Sequence, residues 1–175
     1  MKINNSYCEG LAPLADAKAN VLILGSMPGR ASLLQQQYYA HPRNTFWPIL
    51  LTIFTGEDSC HQTLTYQQKC ALLQANNIAL WDVLAYCTRV GSLDAAIVLS
   101  TARANDFNAF FRQHTEIRHV FFNGKKAQSL YTKQVAPQLN ECYAQRRYAT
   151  LPSSSPAYAA LSVAQKIAQW RAIKQ

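Results

Sequence analysis

The sequence predicts an α/β fold: a single-domain, three-layer α/β/α arrangement built around a central four-stranded, mostly parallel sheet. Three observations carry this expectation. Strand-like runs at 21–24, 78–81, 117–122 and 147–151 alternate with helix-like segments, a pattern that joins strands in parallel and covers both sheet faces with helices. The runs give way at Gly25, Asp82, Asn123 and Pro152, so the loops that begin there share the carboxyl edge, where open α/β sheets bind ligands. The chain is 175 residues long, enough for one core and too short for two.

Taken in order, residues 1–20 carry no strong period, and 10–14 read as a packed lead-in. Residues 21–24 are an unbroken apolar run, the mark of a buried strand, and Gly25-Ser26-Met27-Pro28-Gly29 stops it. A short helix is expected over 31–38, with Ser32 as its cap. Residues 44–54 hold Phe46, Trp47, Ile49, Leu50, Leu51, Ile53 and Phe54, too dense for a solvated helix, so this helix is buried and Asn44 suits its N-cap. A turn is expected over 56–59 and a helix over 66–73 that stops near Asn76-Asn77. Residues 78–81 form the second strand. Asp82 follows at once, either as the cap of a short helix over 83–87 or as a chemical group. Residues 88–99 read as an irregular connection, and 105–113 as a helix whose Phe107, Phe110 and Phe111 belong to the core. The third strand, 117–122, passes through Asn123-Gly124 into a helix over 125–133. Its first turn holds Lys125 and Lys126, where cations oppose the helix dipole unless an anion is near. The fourth strand, 147–151, is more polar. Pro152-Ser153-Ser154-Ser155-Pro156 breaks it, and a helix over 158–172 follows.

The formal net charge is +8, from 17 Lys+Arg against 9 Asp+Glu, which favours a polyanionic partner such as nucleic acid. No run of five basic residues occurs, so an anion-binding surface has to be assembled by folding. The cysteines, Cys8, Cys60, Cys70, Cys87 and Cys142, are dispersed without a CxxC pair, which argues against a zinc or iron–sulfur site. Their odd number and the absence of a signal peptide favour a reducing, intracellular location. The longest apolar runs fall well short of a membrane span.

Within this frame, the 25–29 turn offers backbone N–H groups in a tight geometry suited to a flat ligand or a water. It is neither a GxxxxGK phosphate loop nor a GxGxxG fingerprint, which disfavours nucleoside triphosphate and dinucleotide. Tyr38, Tyr39, Phe46 and Trp47 surround the His41-Pro42-Arg43-Asn44 segment. Among these aromatics, Tyr39 and Phe46 are the candidates to face a base, while others fill the core. The three serines between prolines suit phosphate contacts, or form an ordinary capped turn. No GxSxG elbow is present, so serine hydrolysis is disfavoured.

The segments LILGSMPGRASL, YYAHPRNTFW, LWDVLAYCTRVGSLD, FFNGKKA and LPSSSPAYA, in that order, resemble the uracil-DNA glycosylase superfamily and, within it, the hypoxanthine (deoxyinosine) DNA glycosylase family. The resemblance spans nearly the whole chain. It implies a four-stranded parallel sheet between helices and hydrolysis of the bond joining a deaminated base to deoxyribose in DNA. Many members carry an Asp or Asn in the first motif to activate water; this chain has Ser26 and Met27 in that region. The resemblance passes that role to Asn44 of the HPRNTFW segment. The second motif usually begins with His or Asn before Pro-Ser, and here Leu151 takes that place.

By the same resemblance, the backbone of Gly25, Ser26, Met27, Pro28 and Gly29 and the amide of Asn123 hold the departing base. Asp82 meets its edge or supports a neighbour, and Tyr39 and Phe46 flank it. Ser153, Ser154 and Ser155 grip phosphates, Ala157 and Tyr158 fill the gap left by a flipped nucleotide, and Arg43, Lys125 and Lys126 add phosphate contacts. No metal or organic cofactor is required. The expected enzyme is a monofunctional glycosylase, a monomer acting on damaged DNA and not on membranes. Mismatch-directed uracil removal and a non-catalytic DNA-binding module on the same fold remain open. A small-nucleoside hydrolase is disfavoured by the +8 charge.

Overall fold

A computed structural model describes residues 6–56 and 64–174. The elements run β1 (Ser6–Glu9), β2 (Val21–Gly25), α1 (Arg30–Gln35), α2 (Phe46–Thr55), α3 (Tyr66–Ala75), β3 (Ile78–Asp82), β4 (Leu84–Arg89), β5 (Ile97–Ala104), α4 (Phe107–Gln113), β6 (His119–Asn123), α5 (Lys125–Gln134), α6 (Glu141–Ala144), β7 (Arg147–Leu151) and α7 (Val163–Trp170). Single 3₁₀ turns occupy Asp94–Ala96, Ala136–Gln138 and Arg171–Ile173.

The expected parallel sheet is present, four strands in the order β3-β2-β6-β7 and parallel throughout. Every residue of β2 and β3 is buried, as unbroken apolar runs require when helices cover a parallel sheet. Helix α2 packs on α7, α3 on β3, and α5 on β6 and β7. Phe107, Phe110 and Phe111 are all core residues, with Phe110 against Trp81 at 4.7 Å between ring centroids. Each such burial contributes roughly 1.5–3 kcal/mol. The lead-in is packed through a two-way backbone bridge between Leu14 and Leu80, 2.8 and 2.9 Å.

A second sheet was not expected. Strands β1, β4 and β5 pair antiparallel, replacing the helix expected over 83–87 and the two ends of the irregular connection expected over 88–99, whose middle, 90–96, holds a loop and a single 3₁₀ turn. The cause is local: Val83 N–H and Leu84 N–H donate to the carbonyls of Gly25 and Ser26, which keeps the chain extended past Asp82. Asp82 therefore caps no helix. Register shifts between Leu84, Tyr86 and Thr88 erase the period-two pattern that would have marked β4 in the sequence.

Helix boundaries also move. Helix α1 is shorter than expected, and Ser32 lies inside it, buried, its hydroxyl accepting from Ala40 N–H at 3.2 Å. Helix α7 starts five residues later than expected, at a capping box in which Ser162 and Gln165 satisfy each other's backbone N–H groups. Gly56 closes α2 in the left-handed region, φ 75°. The rest of the turn expected there, with Cys60 and His61, lies outside the described residues. Among the described residues no helix is long and apolar enough to cross a membrane.

Candidate active site

Strand register sets Gly25 beside Asp82 and Asn123 beside Leu151 at the carboxyl edge. The loops leaving that edge wall a cavity of about 700 Å³, within the size range of small-ligand sites. The residues expected at the site that line it are Gly25 to Gly29, Tyr39, Arg43, Asn44, Asp82, Asn123, Ser153 to Ser155, Ala157 and Tyr158. Phe46, Lys125 and Lys126 do not.

One wall is the 25–29 turn, braced by the second sheet. Arg89, buried at the end of β4, donates from Nη2 to the Pro28 carbonyl. Ser26 Oγ donates to Asp94 Oδ1 at 2.7 Å, and Arg30 N–H donates to Ser92 Oγ at 3.1 Å. The Ser26 hydroxyl is thus committed to Asp94, and Met27 is buried.

The opposite wall depends on Ser154. Asn123 grips it at both ends: Nδ2 donates to Ser154 Oγ and Ser154 N–H donates to Asn123 Oδ1, each 2.8 Å. The Ser154 carbonyl then accepts from Thr45 twice, from its N–H at 3.0 Å and its Oγ1 at 3.1 Å. Thr45 is the N-cap of α2, but its hydroxyl is diverted to Ser154 and caps nothing. Asn44, expected as that cap, sits one residue earlier and supplies the missing acceptor: its Oδ1 takes Phe46 N–H at 2.9 Å. A carbonyl oxygen has two lone pairs, so one remains for a water. Ser154 itself is fully buried, which corrects its expected contact with phosphate. Ser153 and Ser155 stay partly exposed, each accepting a backbone N–H two residues on at 3.2 Å and keeping its own O–H proton to donate.

Tyr39 has a left-handed backbone, φ 53°, a conformation that costs a non-glycine residue on the order of 1 kcal/mol and marks it as held by its surroundings. Its ring stacks on Phe46 at 3.9 Å, and its Oη is buried without a hydrogen-bond partner. Burial, then the Asp82 charge, push its phenol above the ordinary value; Asn123 partly opposes them, though no hydrogen bond of good geometry joins the two. Phe46 is completely buried beneath Tyr39, which corrects the expectation that it faces a ligand. Tyr158 is pinned by Lys166, whose Nζ donates to its carbonyl at 2.9 Å and lies 5.2 Å from its ring centroid.

Asp82 is 3% exposed, and neither carboxyl oxygen has a hydrogen-bond partner among the described residues. Burial, reinforced by the nearby Asp94 charge and opposed by Arg89, pushes its pKa up to about 7. Burial raises Asp94 as well, while its bond from Ser26 and the charges of Arg89 and Lys126 pull it back. Lys126 in the first turn of α5 therefore has a carboxylate nearby. Among the described residues, no group of three or more His, Cys, Asp or Glu is arranged to hold a metal ion.

Sequence reasoning missed Arg89, Ser92 and Asp94. Arg89 ends β4, and Ser92 and Asp94 lie in the connection from β4 to β5, so the rule that located the other residues, position after a parallel strand, could not find them. Gly25 is indispensable for a related reason, since a Cβ there would overlap Asp82 Oδ1 and lie 3.0 Å from Tyr39 Oη. Gly25→Ala should displace Asp82 and lower activity at least about tenfold, with a smaller effect on the thermal midpoint. Unchanged kinetics in the folded variant would dissociate Asp82 from the reaction.

A profile of the uracil DNA glycosylase superfamily matches residues 12–174 of the chain. The chain belongs to the uracil DNA glycosylase superfamily. It is 39% identical over 119 residues to a protein of Methanosarcina barkeri named hypoxanthine DNA glycosylase, covering 68% of this chain and 72% of that one. A Methanosarcina acetivorans protein of the same name is 37% identical over the same shares. In structure, the chain resembles an NMR structure from Methanosarcina acetivorans provisionally assigned as a uracil DNA glycosylase. The TM-score is 0.75 at 32% identity, over 97% of this chain and 100% of the other. In this superfamily member the Ser26 and Met27 side chains of the 25–29 turn are a bonded hydroxyl and a buried thioether, and the amides that line the cavity among the described residues are those of Asn44 and Asn123.

Proposed function

We propose that this uracil DNA glycosylase superfamily protein is a monofunctional DNA glycosylase that hydrolyses the N-glycosidic bond of deaminated bases in DNA, with hypoxanthine as the preferred base, and leaves an abasic site. The observation that carries the reading is the chain of hydrogen bonds from Asn123 through Ser154 to Thr45, which fixes Asn44 at the cavity wall. The two relatives named hypoxanthine DNA glycosylase support the choice of base.

In this mechanism the damaged nucleotide leaves the stack and enters the cavity, its base against Tyr39 and between the 25–29 backbone and Asn123. Asn44 Oδ1 accepts a hydrogen bond from a water and aims it at C1′. A neutral amide is a weak base, so orientation and the stabilisation of charge supply most of the rate. The water attacks a sugar with oxocarbenium character as the base departs with the bonding electrons. Ala157 and Tyr158, exposed at the rim, fill the vacated space, and the hydroxyls of Ser153 and Ser155 hold phosphates. The protein acts as a monomeric single domain inside the cell, on nucleoid DNA, without a cofactor.

The test is base release from duplexes carrying deoxyinosine, deoxyuridine or deoxyxanthosine opposite each normal base. Free hypoxanthine with an intact, alkali-labile abasic strand is the expected product. Tight, salt-sensitive binding without release would instead identify a DNA-binding module, and preference for free inosine a nucleoside hydrolase. Arg43 is exposed at the cavity rim; Arg43→Ala should weaken binding of all sequences alike and reduce the slope of log affinity against log salt by about 1. A variant that keeps the full slope would remove Arg43 from the phosphate contacts.

A further inference from the structure

The turn, the second sheet and β3 bring together two carboxyls and one guanidinium. Asp82 and Asp94 both line the cavity, and Arg89 lies buried close enough to lower the pKa of each. The two carboxyls are not equally compensated: Asp94 is half-buried with the charges of both Arg89 and Lys126 acting on it, whereas Asp82 is buried with Arg89 alone opposing its burial, so Asp82 is the one that keeps a proton. The hydrogen bonds point the same way. Asp94 Oδ1 accepts the Ser26 hydroxyl at 2.7 Å, an arrangement that favours the ionised form. Among the described residues Asp82 receives no donor at either oxygen, and Oδ2 is buried without a partner. Arg89 is itself committed to the Pro28 carbonyl, with Nε and Nη1 unpartnered.

We infer that Asp82 meets the flipped base as a neutral carboxylic acid, donating its O–H to the base carbonyl and accepting the adjacent ring N–H, so that it stabilises the negative charge on the departing base. This rests on the glycosylase reading above. Hypoxanthine presents that pair of groups, O6 and N1–H, side by side, and a carboxyl group matches both at once. An ionised carboxylate would face O6 lone pair to lone pair and repel the charge that develops during cleavage. In the step itself the C1′–N9 bond breaks with its electron pair passing to the purine, a water oxygen bonds C1′, and the proton shed by that water reaches the purine through solvent. Asp82 lends its O–H as a hydrogen bond and keeps it.

The groups that bear on this ionisation are few. Tyr38 and Tyr39 lie beside Asp82 from the 36–45 segment, and burial first, then the Asp82 charge, raise both phenols, which stay neutral. Arg89 comes from β4 and Asp94 from the 3₁₀ turn after it, with Lys126 of α5 acting on Asp94. Arg30, His41, Arg43 and Tyr158 are the other charged or titratable groups that line the cavity.

The experiment is single-turnover release of hypoxanthine by the full chain across about pH 5.5 to 9. Wild type should lose about tenfold in rate per pH unit above about 7, the slope of one essential acid. Asp82→Asn, whose amide also donates and accepts, should stay within about tenfold of wild type at about pH 6 and lose the falling limb. A wild-type rate that is level or rising to about pH 9 overturns the inference, as does a falling limb that survives in Asp82→Asn and disappears in His41→Gln. Absence of base release by wild type at every pH would instead defeat the glycosylase reading. Thermal unfolding provides a readout independent of activity. The native carboxyl holds a proton that the unfolded chain gives up near pH 4, so its contribution to stability is complete below that point and is lost as pH rises to about 7. Asp82→Asn should flatten this decline, and an unchanged decline would overturn the inference.

Discussion

Asn44→Ala is expected to lower single-turnover release of hypoxanthine at least about tenfold and by as much as about a hundredfold, the scale on which misplaced reacting groups cost rate. The side chain has two duties, and the variant removes both. Its Oδ1 satisfies Phe46 N–H at 2.9 Å, a bond that replaces the cap Thr45 fails to make. Loss of a cap costs about 0.5–2 kcal/mol, which a domain of ordinary stability survives. The variant should therefore fold, with a modestly lower thermal midpoint, and bind DNA with near wild-type affinity, because phosphate contacts dominate that affinity. Asn44→Asp retains the acceptor for Phe46 N–H and separates the two duties: it should recover the stability lost in Asn44→Ala. A folded Asn44→Ala variant with wild-type rate would remove the residue from the reaction. An unfolded one would make it a helix cap first.

Trp170→Ala is expected to lower the unfolding free energy by about 3–5 kcal/mol, measured as a lower midpoint in urea. Trp170 is fully buried and its Nε1 donates to the Pro152 carbonyl at 2.9 Å. Its ring meets Phe46 edge-on at 5.8 Å, and Phe46 in turn carries Tyr39. Truncation thus opens a large cavity beneath the aromatic wall and releases the loop that presents Ser153 to Tyr158. Trp170→Phe keeps one aromatic ring while it loses the hydrogen bond and part of the indole volume, so at least about 1–2 kcal/mol is the expected cost. If base release by Trp170→Phe fell as steeply as by Trp170→Ala, the Pro152 bond and not the packing would set the site.

The carboxyl edge was readable because parallel strands announce themselves: Val21 to Leu24 and Ile78 to Trp81 are apolar throughout, and the breaks after them locate Gly25 and Asp82. The second sheet was unreadable because its bulges destroy the alternation on which strand recognition depends, and with it went Arg89 at the end of β4; Asp94, in the connection to β5, has no strand before it to mark its place. The serines show a different limit. Ser153, Ser154 and Ser155 are equivalent in sequence, and only the amide of Asn123, 31 residues earlier, selects the middle one for burial. Phe46 and Tyr39 likewise share one aromatic cluster, and the order of their stacking decides which of them reaches the cavity. The start of α7, by contrast, is written in the Ser162 and Gln165 pair, a local signal that outranks the weaker apolar spacing upstream.

The bond from Thr45 to the Ser154 carbonyl spans 109 residues. Asn44 thus leaves the ribosome well before Ser154, the partner on which its place at the cavity wall depends. Contacts of such long range form late in folding, after the loop between them has closed. A chain in which Ser154 has not docked lacks the bonds that fix Asn44, and the Thr45 amide should exchange its hydrogen only when those bonds open.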